Sequence, residues 1–460
     1  MSETIDQPKL TYAPGPDLRA TVAGLMIIGA ASALTGLILR GNPIHTVNDG
    51  SRWNTVYALV HHHSYQIDLW PADSVRTWPL QPEGPFFTID MVRRDGHFYS
   101  SKPALYPTIV AGGYHLLHKL TGLKIWYPKD ERKGQPVFTA GRILLIFFNV
   151  VPFIVFLVFF YRLLVQFDID GPAFVFCMGA AAGGTFLTAY CTTLTNHVPA
   201  AFCAFFAVYC IIQIWLARRE AWYLYAGTGF FAALTASLEL PAALFGVVSF
   251  VLVGARSWRS TLRYYVPAAV VPIAAFFATN YLATGGWKPY YAGFGTELYE
   301  YSEDSYWHPN NRTGIDAVEE PKPIYLAHML VGHHGILALT PVFLFSVIGL
   351  LVPFRRQLKS LRWVQYSLTF MTVVVIVYFC RQTTNYGGLA HGLRWTFWLI
   401  PFWLLVLGQV IEWVFDYAVT RWVAWLCLAL SVMNVGYSAK YPWGYSSAHA
   451  LLRFLKIVDY

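Results

Sequence analysis

The chain of 460 residues is 56% hydrophobic and only 13% charged, whereas soluble proteins carry about 25% charged residues. This composition excludes an ordinary soluble globular protein. The net charge of +8 comes from basic residues in short loops between apolar segments, so nucleic acid is not a predicted partner. The six cysteines lie within or at the ends of apolar segments and form no CxxC pair, which predicts neither a disulfide framework nor a zinc site.

Apolar segments of about 18 or more residues, long enough to cross a hydrocarbon core of about 30 Å, recur along the chain. Because backbone groups in lipid must be hydrogen-bonded internally, these segments are predicted to be helices. The fold class is therefore an all-α polytopic membrane protein with about eleven transmembrane helices. The spans lie near residues 19–39, 140–163, 172–192, 197–217, 222–239, 241–254, 264–284, 333–353, 364–380, 394–412 and 421–438. Pro241 splits the run 222–254, which is either a tight helical hairpin or one broken helix.

The short basic loops set the predicted orientation, because Lys and Arg accumulate on the cytoplasmic side. The turns around Arg218, Arg256 and Arg356 then face the cytoplasm, and so does a head of residues 1–18. The transmembrane domain is 19–438, and a tail, 439–460, lies outside. Three loops also lie outside: 40–139, 285–332 and 381–393. We expect a multi-pass protein of a bacterial inner membrane.

The long first external loop, 40–139, bears two predicted juxtamembrane helices. Asn48-Asp49 can cap a helix that runs to about His63, and an apolar stripe that includes Trp53 predicts that it lies along the membrane surface. Thr88–His97 is predicted to be a β-hairpin around the turn Asp95-Gly96. Residues 104–121 form a second amphipathic helix, which is interfacial rather than spanning.

Asp49 and Arg52 are three residues apart at a helix start and share a face. A carboxylate beside the membrane can act as a general base toward an acceptor, and the arginine can hold it ionised or bind an anion. The alternative is a helix cap with a local ion pair. Lys102, which opens the second helix, either binds a lipid phosphate or snorkels to the interface.

Polar residues at the outer ends of other spans are further candidates. Asn196 and His197 lie between two long apolar runs, and Glu239 lies near the end of another, where an ionisable group suggests function. Arg394 opens a span and is suited to bidentate phosphate binding, with interface anchoring as the alternative. His333 and Tyr386 lie in the outer loops beside it. Consecutive histidines at 61–63 point in three directions on a helix, so no metal site is predicted there.

Together these features resemble the membrane glycosyltransferases of the GT-C superfamily, particularly the protein O-mannosyltransferase and aminoarabinose (lipid A) transferase branch, family 39. The resemblance is carried over 40–165 by Asp49-Gly50-Ser51-Arg52-Trp53 and by Ser101-Lys102-Pro103, with Arg142 at the start of the second span. It implies a sugar donor on polyprenyl phosphate, an unknown lipid, glycan or protein acceptor, and inverting transfer on the outer face of the membrane.

The resemblance also implies residue roles. Asp49 would be the catalytic base, and Lys102, with Arg52 and Arg394, would bind the donor phosphate. Trp53, Asn196, His197, His333 and Tyr386 are candidate substrate contacts. Gly50 departs from the family's Asp-Glu pattern, so Glu239 is offered as the second acidic residue. No cofactor is predicted, because the first loop has no DxD motif, although a divalent metal stays open.

Two other functions stay open. The break at Pro241 favours a transporter or lipid flippase, although no internal repeat accompanies it. Gly50 favours a non-catalytic GT-C-like helper.

Overall fold

The computed structural model describes residues 18–68, 75–76, 81–82, 86, 88–127, 138–352, 356–383 and 385–460. The predicted cytoplasmic head therefore lies outside the described residues, apart from Leu18. Within the described ranges, eight helices are long and apolar enough to cross a membrane. The prediction of an all-α polytopic membrane protein is confirmed. The eight helices that could cross a membrane are α1 (Leu18–Arg40), α4 (Thr139–Gln166), α5 (Gly171–Tyr190), α6 (His197–Trp215), α9 (Trp258–Thr284), α13 (Leu358–Gln382), α14 (Arg394–Asp416) and α15 (Ala418–Lys440).

Three of the eleven predicted spans are not among these eight helices. Helix α7 (Trp222–Leu238) has 17 residues, and α8 (Leu240–Gly254) is shorter still. The predicted span 333–353 is two pieces, α11 (Ile336–Leu339) and α12 (Phe343–Leu351). The helix breaks at Thr340, whose backbone dihedral angles are not helical. The break occurs there because the ring of Pro341 disfavours the helical conformation at the residue before it. Hydropathy alone does not detect such a break.

Helices α7 and α8 form a tight hairpin, which decides between the two alternatives for 222–254. The chain is extended at Glu239, two residues before Pro241. Gly229 of α7 packs against the backbone of Tyr265, while the Tyr265 hydroxyl donates to the Gly246 carbonyl of α8 at 2.8 Å. A continuous helix would separate positions 229 and 246 by about 25 Å, so the two helices must lie side by side.

The first external loop contains the elements that the sequence predicts. Helix α2 (Val47–His61) is followed by the two-residue strand pair β1 (Val75–Arg76) and β2 (Gln81–Pro82). The predicted hairpin consists of β3 (Met91–Arg94) and β4 (His97–Ser100). Its turn residues Asp95 and Gly96 both have positive φ, as a type I′ turn requires. Helix α3 (Leu105–Thr121) follows.

One prediction for this loop is wrong. Helix α2 is buried from Asn48 to Ala58, including the polar side opposite Trp53, so it does not lie flat on the membrane surface. The β3–β4 hairpin covers its polar face: the Ser51 hydroxyl donates to the Asp90 carbonyl at 2.6 Å. Helix α2 is thus an internal element that carries polar side chains into the protein.

Two further short helices, α10 (Lys322–Leu330) and α16 (Ser447–Phe454), lie outside the spans.

The close approach at Gly229 yields a test of the hairpin. A Cβ at this position would overlap the backbone of Tyr265, whereas a Cβ at Gly246 meets nothing within 4 Å. We expect Gly229→Ala to destabilise the protein by about 1–3 kcal/mol, the usual cost of overpacking. Gly246→Ala, in the same hairpin, is the matched control and should leave stability almost unchanged. Thermal unfolding in detergent measures both, and equal midpoints would contradict the proposed packing.

Candidate active site

A cavity of about 1200 Å³ lies at one end of the helices. Its lining comes from all three predicted external loops and from the ends of α6 and α7. Segments assigned to one side of the membrane from loop charges therefore meet at one place. Polar residues that line it include Asn48, Arg52, Asp90, Ser101, Lys102, Asn196, His197, Glu239, Asp316, Asn385 and Arg394.

Asp90 and Lys102 form an ion pair on the cavity wall. The Lys102 Nζ lies 2.8 Å from Asp90 Oδ2, and both side chains are largely buried. The same oxygen accepts a hydrogen bond from Asn48 Nδ2 at 3.0 Å. Because both contacts fall on Oδ2, the other carboxylate oxygen is left for a ligand. The β3–β4 hairpin sets this geometry, since Asp90 directly precedes β3 and Lys102 follows β4.

Burial and charge act on this pair in opposite directions. Burial lowers the pKa of Lys102 to about 8, although the attraction of Asp90 opposes this. Burial by itself would raise the pKa of Asp90, but the positive charges of Lys102, Arg394 and Arg52 together outweigh it, and the pKa is lowered. Asp90 is therefore a carboxylate at neutral pH, while Lys102 carries a proton that it loses within the physiological range of pH.

Arg52 is buried beside this ion pair, with 2% of its surface exposed. It donates to the Asn48 carbonyl and to Asn48 Oδ1, at 2.9 and 2.6 Å, and also to Asn196 Oδ1. All of these acceptors are neutral. Among the described residues, no carboxylate lies within ion-pair distance of Arg52, and its Nε has no hydrogen-bond partner.

Arg394 is the second buried arginine on the cavity wall, 7% exposed. It donates to the Gly387 carbonyl, and its NH1 lies 3.4 Å from His197 Nε2. The guanidinium lies over the ring of Trp443, with 4.6 Å to the ring centroid. In the part of the chain that the structure describes, Arg394 also has no ion-pair partner, and its Nε has no hydrogen-bond acceptor.

A chain of polar contacts connects the two arginines through the ends of α6 and α7. Asn196 accepts from Arg52 and donates to Glu239 Oε1 at 2.6 Å. The same Glu239 oxygen contacts His197 Nδ1, and His197 Nε2 faces Arg394. Glu239 reaches this position because the backbone of the hairpin is extended there. The break between α7 and α8 thus fixes the separation of the two guanidinium groups.

Asp49 does not line the cavity. Its side chain closes a capping box with Thr46, and its oxygens accept from the backbone N–H groups of His45 and Thr46 at 2.8 and 2.7 Å. Burial raises the pKa of Asp49, while these donors oppose the rise. The structure thus places Asp49 in the role of a helix cap, the alternative noted from its position at the helix start.

Three other predicted substrate contacts also lie away from the cavity. Trp53 is 1% exposed and donates to the Pro43 carbonyl at 3.2 Å, which is a packing position. His333 and Tyr386 belong to a separate buried cluster, although the neighbours of Tyr386, Asn385 and Gly387, do line the cavity. The predicted candidates that meet at the cavity are Arg52, Lys102, Asn196, His197, Glu239 and Arg394.

Sequence reasoning missed Asp90 and Asp316, the other carboxylates on the wall. The missed signal for Asp90 is its position directly before a predicted hairpin whose far end leads to Lys102. Because the two strands of a hairpin pair in register, residues that flank it at both ends lie close together. Asp316 comes from the loop 285–332, which contains little regular structure, and its sequence offered no comparable signal.

No family model matches the sequence, and no curated protein matches it. The chain is similar to the crystal structure of the apo oligosaccharyltransferase of Archaeoglobus fulgidus, with a TM-score of 0.48 and 11% sequence identity. The similarity covers 94% of this chain and 57% of that chain, so this chain spans little more than half the length of that protein. The likeness is one of overall shape, and no residue role is transferred from it.

The Asp90–Lys102 pair can be tested by a double-mutant cycle. Each single variant, Asp90→Asn or Lys102→Met, leaves a buried charge without its partner, which costs about 3–5 kcal/mol. We expect the double variant to be less destabilised than the sum of the two, because no unpaired charge remains. Chemical or thermal unfolding in detergent measures all three.

The exposed pair Arg94–Asp95, which flanks the hairpin turn, provides the control. Asp95→Asn should change stability by less than about 1 kcal/mol, as is usual for surface pairs. Additive effects of the two core substitutions would contradict a direct interaction between Asp90 and Lys102.

Proposed function

We propose that this chain is a membrane glycosyltransferase of the GT-C type. It transfers a sugar from a polyprenyl-phosphate donor to an acceptor on the outer face of the membrane, with inversion at the sugar carbon. The observation that carries this proposal is the pair Arg52 and Arg394, two buried cations on one cavity wall without a carboxylate partner among the described residues.

A buried unpaired guanidinium is costly, because its charge has lost most of its hydration. Two such groups beside an open cavity define a place where a bound anion replaces the missing counter-charge. A phosphate suits it, since guanidinium groups bind phosphate oxygens bidentately. The Lys102 ammonium adds a third positive charge at the same wall. The site thus selects a ligand with a phosphate group.

The apolar part of the cavity favours a lipid as the carrier of that phosphate. Leu240 and Tyr378 line the cavity, and 43% and 47% of their surfaces are exposed. They belong to α8 and α13, and we propose that the cavity opens sideways between these helices. A polyprenyl chain can leave through this opening into the bilayer while its phosphate stays beside the arginines.

Aromatic side chains support a sugar as the transferred group. Tyr291, Phe294, Tyr299 and Trp307, all from the external loop 285–332, line the cavity. Their rings can stack on the apolar face of a pyranose. The Trp307 indole is held in place because its Nε1 donates to the Ile89 carbonyl at 2.8 Å, next to Asp90. The sugar would therefore lie between these rings and the Asp90 carboxylate.

In the proposed mechanism, Asp90 is the general base. An acceptor hydroxyl or amine donates its proton to the free Asp90 oxygen and attacks C1 of the sugar from the face opposite the phosphate. The C1–O bond breaks, and its electrons pass to the polyprenyl phosphate. Arg52, Arg394 and Lys102 stabilise the charge that develops there. Asp90 replaces Asp49 as the proposed base because its carboxylate faces the cavity.

Asp90→Asn tests the base directly. The amide keeps the shape and the contact with Asn48 but does not accept a proton, so we expect transfer to fall at least about 100-fold, the usual contribution of a general base. Donor binding should persist. Membranes with each variant receive radiolabelled polyprenyl-phosphate sugar, and bound and transferred label are measured separately, after equal amounts of folded protein have been verified.

Asp49→Asn, assayed alongside, is expected to retain transfer once the amount of folded protein is matched. The opposite order, with Asp49→Asn inactive and Asp90→Asn active, would restore the assignment made from the sequence. Label that crosses the bilayer without transfer to any acceptor would instead indicate a transporter or flippase. Bound label that is neither transferred nor translocated would indicate a non-catalytic helper.

The lowered pKa of Lys102 predicts the pH dependence of donor binding. The ammonium attracts phosphate below a pKa of about 8 and loses its charge as pH rises above it. We expect affinity for a short-chain polyprenyl phosphate to fall up to about tenfold from pH 7 to pH 9, measured by titration calorimetry. Lys102→Arg keeps its charge across this range and should flatten the profile. Parallel profiles for the two proteins would contradict a role for Lys102 in phosphate binding.

A further inference from the structure

A second cluster of polar side chains lies behind the cavity wall, and the proposed reaction does not use it. It contains Glu320, His328 and His333, which come from the loop before α10, from α10 itself and from the turn after it. His333 is fully buried, and the Glu320 and His328 side chains are about one-tenth exposed. One donor atom from each of the three lies within 4.8 Å of the other two.

The donor atoms face one small space. His328 Nε2 lies 3.6 Å from Glu320 Oε1, which is too long for a good hydrogen bond. The Tyr460 hydroxyl is 2.6 Å from the same Glu320 oxygen and 3.1 Å from His333 Nε2. The imidazole rings of His328 and His333 are stacked, with 4.2 Å between their centroids. Two oxygen and two nitrogen atoms, from Glu320, Tyr460, His328 and His333, thus lie close together.

Hydrogen bonding on the far side of the cluster decides which nitrogen of His333 carries a proton. His334 Nε2 lies 3.2 Å from the Gly388 carbonyl, which only accepts, so this nitrogen is the donor. The other nitrogen of a neutral His334 ring is then an acceptor. It lies 2.6 Å from His333 Nδ1, which must donate to it. His333 Nε2 therefore presents a lone pair to the space beside Glu320.

Neutral rings at His333 and His334 fit this hydrogen-bond pattern. Burial lowers the pKa of His333 and that of His334, the latter to about 3. The pKa of His328 is also lowered by burial, although Glu320 opposes this. Neutral imidazole is the form that binds metal ions.

We propose that Glu320, His328 and His333 bind a divalent transition-metal ion, for which Zn²⁺ is the best fit. Two imidazoles and one carboxylate are a common zinc ligand set, with bond lengths of about 2.0–2.2 Å. Tetrahedral ligands at that distance lie about 3.3–3.6 Å apart, close to the 3.6 Å between His328 and Glu320. The Tyr460 hydroxyl or a water would supply the fourth ligand.

The surroundings contain the outer hydrogen bonds that metal ligands usually have. The Tyr386 hydroxyl donates to Glu320 Oε2 and so orients the carboxylate, as His334 does for His333. Tyr386 and Gly388 belong to the segment whose Gly387 carbonyl accepts from Arg394. A metal ion at this site would therefore brace the wall segment 385–388, which positions Arg394 at the cavity.

Metal analysis of the full-length protein in detergent tests this site without any assay of transfer. The protein is treated with a chelator to remove bound metal, incubated with Zn²⁺ and freed of excess ion. Its zinc content is then measured by elemental mass spectrometry. We expect about one zinc per chain and a thermal unfolding midpoint that rises with Zn²⁺ concentration. Incubation with Co²⁺ should give the visible absorption bands of a tetrahedral site.

His328→Ala and Glu320→Gln should each lose the bound zinc, while His115→Ala, an exposed histidine on α3, should retain it. If a variant fails to fold, X-ray absorption spectroscopy of the zinc-loaded wild type tests the site instead. A zinc shell of four N/O ligands that includes two imidazole nitrogens supports the site. A wild-type protein that retains no zinc, zinc retained equally by His328→Ala, or a zinc shell with sulfur ligands would each overturn the proposal.

Discussion

Two guanidinium groups held away from water constrain the end of this protein at which the cavity lies. Arg52 and Arg394 have no carboxylate partner among the described residues, so their positive charges are held in place by neutral acceptors and by the chain Asn196–Glu239–His197 between them. Like charges repel in a medium of low dielectric constant. The surrounding helices must therefore keep the two groups apart, while the cavity between them is left for an anion.

The elements that meet this constraint come from distant parts of the chain. Helix α2 carries Arg52 inward because the β3–β4 hairpin covers its polar face, and the same hairpin brings Asp90 to Lys102. The tight turn between α7 and α8 projects Glu239 toward both arginines. Arg394 is held by the Gly387 carbonyl, in a segment that the cluster of Glu320, His328 and His333 supports from behind. The fold thus places polar loops and span ends, rather than the membrane-crossing helices themselves, around the proposed chemistry.

The lateral opening proposed beside these charges would explain why a membrane protein suits this site. In the proposed function the phosphate lies beside the buried arginines, and a polyprenyl tail would reach lipid past Leu240 and Tyr378, which line the cavity. Water-soluble donors need no such opening. The aromatic loop 285–332 closes the cavity on the other side, where an acceptor from outside the membrane would approach.

The sequence by itself determined the features that depend on neighbouring residues. Apolar length predicted the helices, because a backbone in lipid must bond to itself, and Asp95-Gly96 predicted the hairpin turn, because only a few residues adopt positive φ readily. Six of the predicted site residues line the cavity, since polar groups at span ends stand out against lipid-facing runs. The tertiary structure alone decided that Asp90 rather than Asp49 faces the cavity, and that residues from several loops and span ends meet there. These outcomes depend on contacts between residues tens or hundreds of positions apart, such as Asn48 with Asp90 and Arg52 with Asn196, and local patterns do not record them.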